Sequence, residues 1–116
     1  MKRILSFIKG NFILVLVLSL FLSTRLFRID TIPNSLYWDE ASIGYNAYSV
    51  LKTGKDEWGE FLPLHFRAFG EFKLPVYIYS VLIAEIVFGV TQLAVRIPAV
   101  IFGLFSVLGL YLLVFK

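Results

Sequence analysis

The feature that most constrains the fold of this chain is an uncharged apolar run near its carboxyl end. The run covers residues 97–115 and lies between Arg96 and Lys116. A helix needs about 20 apolar residues to cross the hydrocarbon core of a bilayer, and Pro98 would occupy the first turn, where its missing N–H does no harm. The run therefore predicts a transmembrane helix over residues 97–115.

A second apolar segment lies at the N-terminus. Residues 4–24 carry Lys9 as their only charge, so a helix over them would also just span a bilayer. Lys2 and Arg3 would suit the basic start of a secretory signal peptide, but small residues at a cleavage site are missing. We therefore predict an uncleaved transmembrane anchor over residues 4–24, with a cytoplasmic N-terminus.

The composition indicates a membrane protein. Hydrophobic residues make up 59% of the 116 residues, compared with about 45–50% in soluble domains. The eleven Lys and Arg residues exceed the eight Asp and Glu residues, but they are scattered along the chain, which argues against nucleic acid as a partner. The absence of cysteine excludes disulfides, thiolate nucleophiles and cysteine metal ligands.

A polar block separates the two apolar ends, and seven of the eight acidic residues lie in it. We predict an outward-facing loop over residues 29–75. Within it, a short amphipathic helix should run from about Glu40 to Thr53, because Gly54 supplies a typical helix stop. The next segment, residues 76–90, is predicted to be a helix that is either membrane-associated or spanning, because its uncharged part is short for a span.

These segments predict an all-α fold of transmembrane helices joined by an outward loop that carries short juxtamembrane helices. The expected location is the plasma or inner membrane of the cell, in a multi-pass topology. With residues 76–90 on the outer face, the last helix would run inward and place Lys116 in the cytoplasm, as positively charged flanks prefer. Two or three such helices enclose little space, so we expect the chain to be the N-terminal piece of a longer polytopic protein.

The acidic pair Asp39-Glu40 is the candidate catalytic group. A carboxylate could take a proton from an attacking hydroxyl, and the two together could hold a divalent metal ion that neutralises a phosphate leaving group. The alternative is that Asp39 caps a helix and Glu40 follows as an acidic first-turn residue. Local spacing alone favours the cap.

The candidate phosphate-binding residues are Lys73 and Arg67. Lys73 precedes Pro75 at the mouth of an apolar helix, where its ammonium could bind the phosphate of a lipid carrier or merely reach the membrane interface. The same two interpretations apply to Arg67 and Arg96, and Arg96 fits better as a residue that marks the membrane boundary. Both interpretations keep membrane lipids among the expected partners.

The other polar and aromatic residues favour structural roles. His65 has no partner at metal-ligand spacing and is interpreted as a packing residue. Trp38 and Trp58 suit the membrane interface, although an aromatic ring beside the carboxylates could also stack on a sugar. Glu85 is interpreted as a buried polar contact to helices outside this chain rather than as a catalytic group. Motifs of soluble nucleotide chemistry are absent from the sequence.

Six short motifs, taken in order, resemble the N-terminal part of the polytopic glycosyltransferases related to the protein O-mannosyltransferases and the bacterial lipid A aminoarabinose transferase. The resemblance covers nearly the whole chain and departs at Leu74, where that family has the first of two prolines. The motifs are Trp38-Asp39-Glu40-Ala41, Tyr45-Asn46-Ala47, Thr53-Gly54-Lys55-Asp56, Gly70-Glu71-Phe72-Lys73-Leu74-Pro75, Phe88-Gly89 and Val95-Arg96-Ile97-Pro98.

The resemblance implies the C-type glycosyltransferase fold and transfer of a sugar, for example a mannose-like one, from a polyprenyl-phosphate donor to an acceptor at the outer membrane face. It implies that Asp39 is the essential acid, that Glu40 is its neighbour and that Lys73 meets the carrier phosphate. The reaction would be inverting, with a carboxylate as base. The alternative from the residues is a non-catalytic small membrane protein that binds lipid phosphate or scaffolds a complex.

Overall fold

The computed structural model describes residues 11–115, and within them the protein is mostly helical. The chain divides into two compact units, one made of residues 11–27 and 100–115 and the other of residues 28–99. The expected helical fold class is confirmed, with one addition, a small β-hairpin inside the predicted loop. The elements are α1 (Phe12–Leu26), α2 (Trp38–Thr53), β1 (Phe66–Ala68), β2 (Glu71–Lys73), α3 (Pro75–Phe88) and α4 (Gln92–Phe115).

Helix α4 is the one helix within residues 11–115 that is long and apolar enough to cross a membrane, over Gln92–Val114. It confirms the predicted apolar helix but begins five residues before Ile97. The helix starts early because Thr91 caps it: Thr91 Oγ1 accepts the Ala94 N–H at 3.2 Å. The prediction was based on the pattern of charges, which does not reveal this cap. Pro98 consequently lies inside the helix rather than in its first turn.

The two other apolar helices are shorter than a bilayer span. Helix α1 has 15 residues and α3 has 14, against the roughly 20 that a span requires. Of the anchor predicted over residues 4–24, the part from 12 onward is helical and extends to Leu26, whereas residues 4–10 lie outside the described part of the chain. The helix predicted over 76–90 is observed at Pro75–Phe88.

The unit of residues 11–27 and 100–115 is held together by a close approach of α1 to α4. A Cβ atom on Gly103 would lie 2.6 Å from Phe21 Cζ, so a side chain at this position would have to displace that ring. The Tyr111 hydroxyl also donates a hydrogen bond to Asn11 Oδ1 at 2.6 Å. The two contacts lie at different levels along α4, one at a small residue and the other at a polar pair.

The unit of residues 28–99 has its core between α2, α3 and the hairpin. The ring of Phe66 on β1 is fully buried and meets Tyr79 on α3 edge to face, with centroids 5.7 Å apart. Burying an aliphatic or aromatic side chain of this size contributes roughly 1.5–3 kcal/mol. The buried cluster consists of Ala47, Val50, Phe66, Ile78, Val81 and Val95.

The start of α2 differs from the expectation that Asp39 caps it. The helix begins at Trp38, with Tyr37 as the N-cap residue, and the Glu40 carboxylate accepts the Tyr37 backbone N–H at 3.2 Å. Asp39 is therefore a first-turn residue, and its side chain is available for another partner. At the other end Gly54 stops the helix in the left-handed region (φ 72°), as predicted.

The hairpin places residues of the loop on two opposite faces. Its turn residues Phe69 and Gly70 both have positive φ, 50° and 85°, as a tight hairpin turn requires. The register pairs Phe66 with Lys73 and Arg67 with Phe72. Because side chains alternate between the faces of a strand, Lys73 shares the inner face with Phe66, whereas Arg67 lies on the outer face.

Candidate functional site

The structure brings together two of the predicted site residues that are 34 positions apart, Asp39 and Lys73. The Lys73 ammonium donates to Asp39 Oδ1 with Nζ and oxygen 2.5 Å apart. The Lys73 side chain is 13% exposed and that of Asp39 is 54% exposed. The cation is thus held within the protein, and the carboxylate keeps one open side.

Local folding explains this contact. Lys73 ends β2 and is followed at once by α3, whose first residue is Pro75. Helix α3 packs against α2, which carries Asp39 in its first turn, so the hairpin delivers the lysine to the start of α2. The Phe69 ring supports the ammonium, with Nζ 5.5 Å from the ring centroid. A carboxylate in the first turn of a helix is also favoured by the helix dipole.

Glu40, the predicted neighbour of the catalytic acid, has a separate partner. Its two oxygens accept from Arg96 Nε and Nη2, each at 3.2 Å. Arg96 is 7% exposed, and its remaining donors are taken by backbone carbonyls. Arg96 therefore fastens the segment before α2 to α4 and has no donor left for a phosphate. The carbonyls belong to Ile29, Ile32, Pro33 and Ser35, at 2.8–3.2 Å.

The second predicted phosphate ligand, Arg67, is not brought together with Lys73. Its guanidinium stacks over the Trp58 ring with Cζ 5.1 Å from the ring centroid, and the Trp58 indole N–H donates to the Arg67 carbonyl at 2.8 Å. His65 contacts Phe72 edge to face at 5.2 Å, in agreement with its predicted packing role. Of the two predicted phosphate ligands, Lys73 is therefore the one that contacts Asp39.

The expectation that Asp39 and Glu40 hold a divalent metal ion gains no support from further clustered ligands in the described part of the chain. No group of three or more histidine or acidic side chains lies together within residues 11–115. The two carboxylates that were expected to hold such an ion each face a cation instead, Asp39 facing Lys73 and Glu40 facing Arg96.

A cavity of about 520 Å³ adjoins the Asp39–Lys73 pair. Trp38 and Phe69 form two of its walls. Trp38 precedes Asp39 in the sequence, and the Phe69 ring lies against the Lys73 ammonium. The two rings meet edge to face with centroids 6.0 Å apart. The cavity is mostly apolar, and its polar side chains include Ser42, Tyr45 and Glu57. The full lining is Leu36, Trp38, Ala41, Ser42, Tyr45, Glu57, Trp58, Ala68 and Phe69.

Sequence reasoning missed the polar part of this cavity. Asn46, 1% exposed, donates to Glu57 Oε1 at 3.0 Å and accepts the Glu57 backbone N–H at 3.2 Å, which fixes that carboxylate. Ser42 Oγ is buried and has no hydrogen-bond partner among the described residues. The available signal was the polar pair Ser42 and Asn46, four residues apart on the buried face of a helix.

The chain matches no protein-family model, no curated protein and no solved structure. A functional assignment consequently depends on the chemistry of the site. That chemistry consists of a half-exposed carboxylate, a partly buried ammonium and an aromatic cavity beside them.

Proposed function

We propose that this chain is part of an integral-membrane glycosyltransferase that moves a sugar from a polyprenyl-phosphate donor to an acceptor at the outer face of the membrane. The observation that carries the proposal is the contact between Lys73 Nζ and Asp39 Oδ1. The reaction needs a cation for the donor phosphate and a base for the acceptor hydroxyl. Lys73 supplies the cation and Asp39 supplies the base, and a hydrogen bond joins the two residues.

Lys73 suits a phosphate because its ammonium is a compact cation with three donors. One of these contacts Asp39, and the group lies immediately before α3, whose N-terminus adds a positive dipole. The adjacent apolar helix favours a lipid over a soluble phosphate ester. The tail of a polyprenyl carrier would remain in the bilayer while its phosphate reaches Lys73.

The proposed chemical step uses Asp39 as the general base. The acceptor oxygen forms a bond to the anomeric carbon of the sugar while the bond from that carbon to the phosphate oxygen breaks. The proton of the acceptor hydroxyl passes to the Asp39 carboxylate, and the polyprenyl phosphate leaves with the electron pair, beside Lys73. Attack opposite the leaving group inverts the anomeric configuration. General-base catalysis of this kind contributes about 10²–10⁴-fold.

The cavity beside the pair has the properties of a sugar subsite. Trp38, Trp58 and Phe69 offer ring faces on which the C–H side of a pyranose can stack, and Glu57 is an acceptor for hydroxyl groups. Its volume of about 520 Å³ lies in the range of small-ligand sites. The pocket supports a saccharide as the transferred group or the acceptor.

The proposal places α4 across the membrane, with residues 29–75 outside the cell and both chain ends in the cytoplasm. The proposed membrane span of α4 is based on the length and hydropathy of Gln92–Val114. A second crossing by the apolar helix α1, with α3 lying on the outer face, completes the proposed multi-pass topology.

The first prediction concerns transfer itself. Asp39→Asn in the complete gene product should lower sugar transfer by about 10²-fold or more, since the amide cannot take the proton. Transfer is measured in membrane vesicles with a panel of polyprenyl-phosphate sugars. Asp30→Asn, an exposed acid in the same unit, is the matched control and should keep full activity. Full transfer by the Asp39→Asn protein would refute the assignment.

A second set of variants in this experiment distinguishes binding of the lipid phosphate from catalysis. Lys73→Met should weaken binding of polyprenyl phosphate, whereas Asp39→Asn should preserve it. Arg67→Met is the control, because Arg67 lies on the opposite face of the hairpin. Lipid-phosphate binding that depends on Lys73, without transfer from any donor, would instead support the non-catalytic alternative.

A further inference from the structure

A second cavity in the unit of residues 28–99 has no role in the proposed transfer. It measures about 330 Å³ and lies between α2 and the junction where α3 ends and α4 begins. Most of its walls are apolar, and its polar side chains come from all three helices and the junction. The lining residues are Leu36, Ala41, Gly44, Tyr45, Tyr48, Glu85, Val90, Thr91, Gln92 and Val95.

The unusual feature of this cavity is Glu85. The residue is only 3% exposed, yet neither carboxylate oxygen has a hydrogen-bond partner among the described residues. Gln92 Oε1, which also lines the cavity, is buried and likewise without a partner there. Leaving a buried polar atom unpaired costs about 1–3 kcal/mol, and more for a charged group.

The unpaired buried atoms that line the cavity are all acceptors. A ligand that satisfies them must therefore bring donors, and one that also compensates a carboxylate must bring positive charge. Few oxygen ligands converge on one point, which disfavours a bare metal ion. The rings of Tyr45 and Tyr48 at the cavity wall add an attraction for organic cations.

We propose that this cavity binds a compact organic cation, an ammonium or guanidinium group carried on an apolar body. The N–H donors of the cation bond to Glu85 and Gln92, and its apolar body fills the space between Leu36, Val90 and Val95. A free amine and a Lys or Arg side chain from another polypeptide segment share this chemistry. The proposal is independent of the sugar-transfer function.

Gly44 explains why the cavity is open to such a ligand. A Cβ atom at this position would lie 3.0 Å from Val95 Cγ2 and 3.9 Å from Glu85 Oε1. Glycine here lets α2 approach α4 closely while keeping the carboxylate uncovered. A larger residue would push against Val95 and fill the space in front of Glu85.

The experiment measures thermal unfolding of the 116-residue chain in detergent micelles at about pH 8, with three probes of similar shape. Benzylammonium has both charge and N–H donors, benzyltrimethylammonium has charge without donors, and benzyl alcohol is neutral. We expect benzylammonium to raise Tm by several degrees with a saturable dependence, since a ligand that binds only the folded state stabilises it. The other two probes should give at most a small shift.

Variants identify the site of that shift. Glu85→Gln should abolish the benzylammonium response, and Gln92→Leu should weaken it severalfold, which keeps the experiment decisive if either variant folds poorly. Glu60→Gln, an exposed acid of the same unit, should respond like the parent chain. An equal response of the Glu85→Gln and parent chains, or an equal response to all three probes, would overturn the proposal.

The same measurement on the complete gene product distinguishes the source of the cation. A saturable benzylammonium response that persists there identifies a free amine as the ligand. Loss of the response in the complete protein, together with its return when a basic residue elsewhere is replaced, identifies a side chain that already occupies the cavity.

Discussion

At the residue scale, Asp39 and Glu40 are neighbours in sequence whose side chains serve different partners. Successive residues on a helix do not face each other, so Asp39 meets Lys73 while Glu40 meets Arg96. The pair is therefore two separate ionic contacts and not a carboxylate dyad. Only Asp39 retains a largely exposed carboxylate that can accept a proton from a substrate.

Glu85 gives a prediction for stability against pH. Burial raises the pKa of its carboxyl from 4.5 to about 7, and α3, which carries it, is too short to span a bilayer. The folded state thus holds this proton more tightly than the unfolded state does. The corresponding stability is complete below about pH 4.5 and is lost as the pH rises through about 7.

Because glutamine cannot ionise, the Glu85→Gln substitution should remove that loss of stability. We expect the variant to exceed the parent chain in the free energy of unfolding by about 1–3 kcal/mol above neutral pH, and to differ little at pH 4.5. Thermal unfolding in micelles between pH 4.5 and 8.5 measures this, without added amines. Parallel curves for the two proteins across the whole range would contradict the prediction.

The site itself was predictable in part. Asp39 and Lys73 were predicted as a base and a cation of one site from motifs that resemble a known family, and the structure brings the two residues into contact. The hydrogen bonds that surround Arg96 were not predictable, since four of its partners are backbone carbonyls that carry no sequence signal. The placement of Arg67 and Lys73 on opposite faces was not foreseen either, because it depends on the register of a hairpin that the sequence analysis did not predict.

At the scale of elements, the apolar helices follow from hydropathy, whereas their ends depend on local hydrogen bonds. Helix α4 begins five residues before the predicted start because of Thr91, and α2 begins two residues early at Trp38. Strands β1 and β2 have three residues each, too few for alternation to stand out. The available signal was Phe69-Gly70, a turn dipeptide between two apolar and charged triplets.

The contact between Arg96 and the start of α2 is predicted to stabilise the unit of residues 28–99. Arg96→Met leaves Glu40 and four carbonyls without their donors and should lower stability by about 3–5 kcal/mol, the usual cost of breaking a buried ion pair. Arg96→Lys should recover only part of this, since one ammonium cannot reach all the acceptors. Thermal unfolding in micelles measures both variants.

Arg67→Met is the control for Arg96, because the Arg67 side chain is exposed and contacts chiefly the Trp58 ring. Its loss should cost about 0.5–1 kcal/mol. Equal melting temperatures for the Arg96→Met and Arg67→Met proteins would show that the hydrogen bonds around Arg96 contribute nothing special to the stability of the fold.

At the scale of the whole molecule, α4 has residues in both compact units, and its Gln92–Val114 stretch is the candidate span. The proposed topology places Lys55 outside the cell. Because the chain has no cysteine, Lys55→Cys provides a clean reporter. We expect a membrane-impermeant maleimide to label it in intact cells.

Two matched positions complete the topology experiment. Ser106→Cys lies within the candidate span and should stay unlabelled, and Lys116→Cys should react only after the cells are permeabilised. Labelling of Lys55→Cys only after permeabilisation would reverse the assigned orientation. A similar result at all three positions would argue against a membrane span by α4.

The ion pair between Asp39 and Lys73 has a thermodynamic consequence for the proposed transfer. A donor phosphate that binds the remaining donors of Lys73 competes with Asp39 for the same positive charge and weakens the ion pair. An acceptor hydroxyl that donates to Asp39 compensates the carboxylate for this loss. Each substrate therefore releases the residue that the other one needs, so the two should bind with positive cooperativity, equal in size whichever comes first. An anion that arrives without a hydroxyl for Asp39 would exchange one counter-ion for another and gain little. In the proposed transfer, the resting contact would therefore favour binding of the two substrates together.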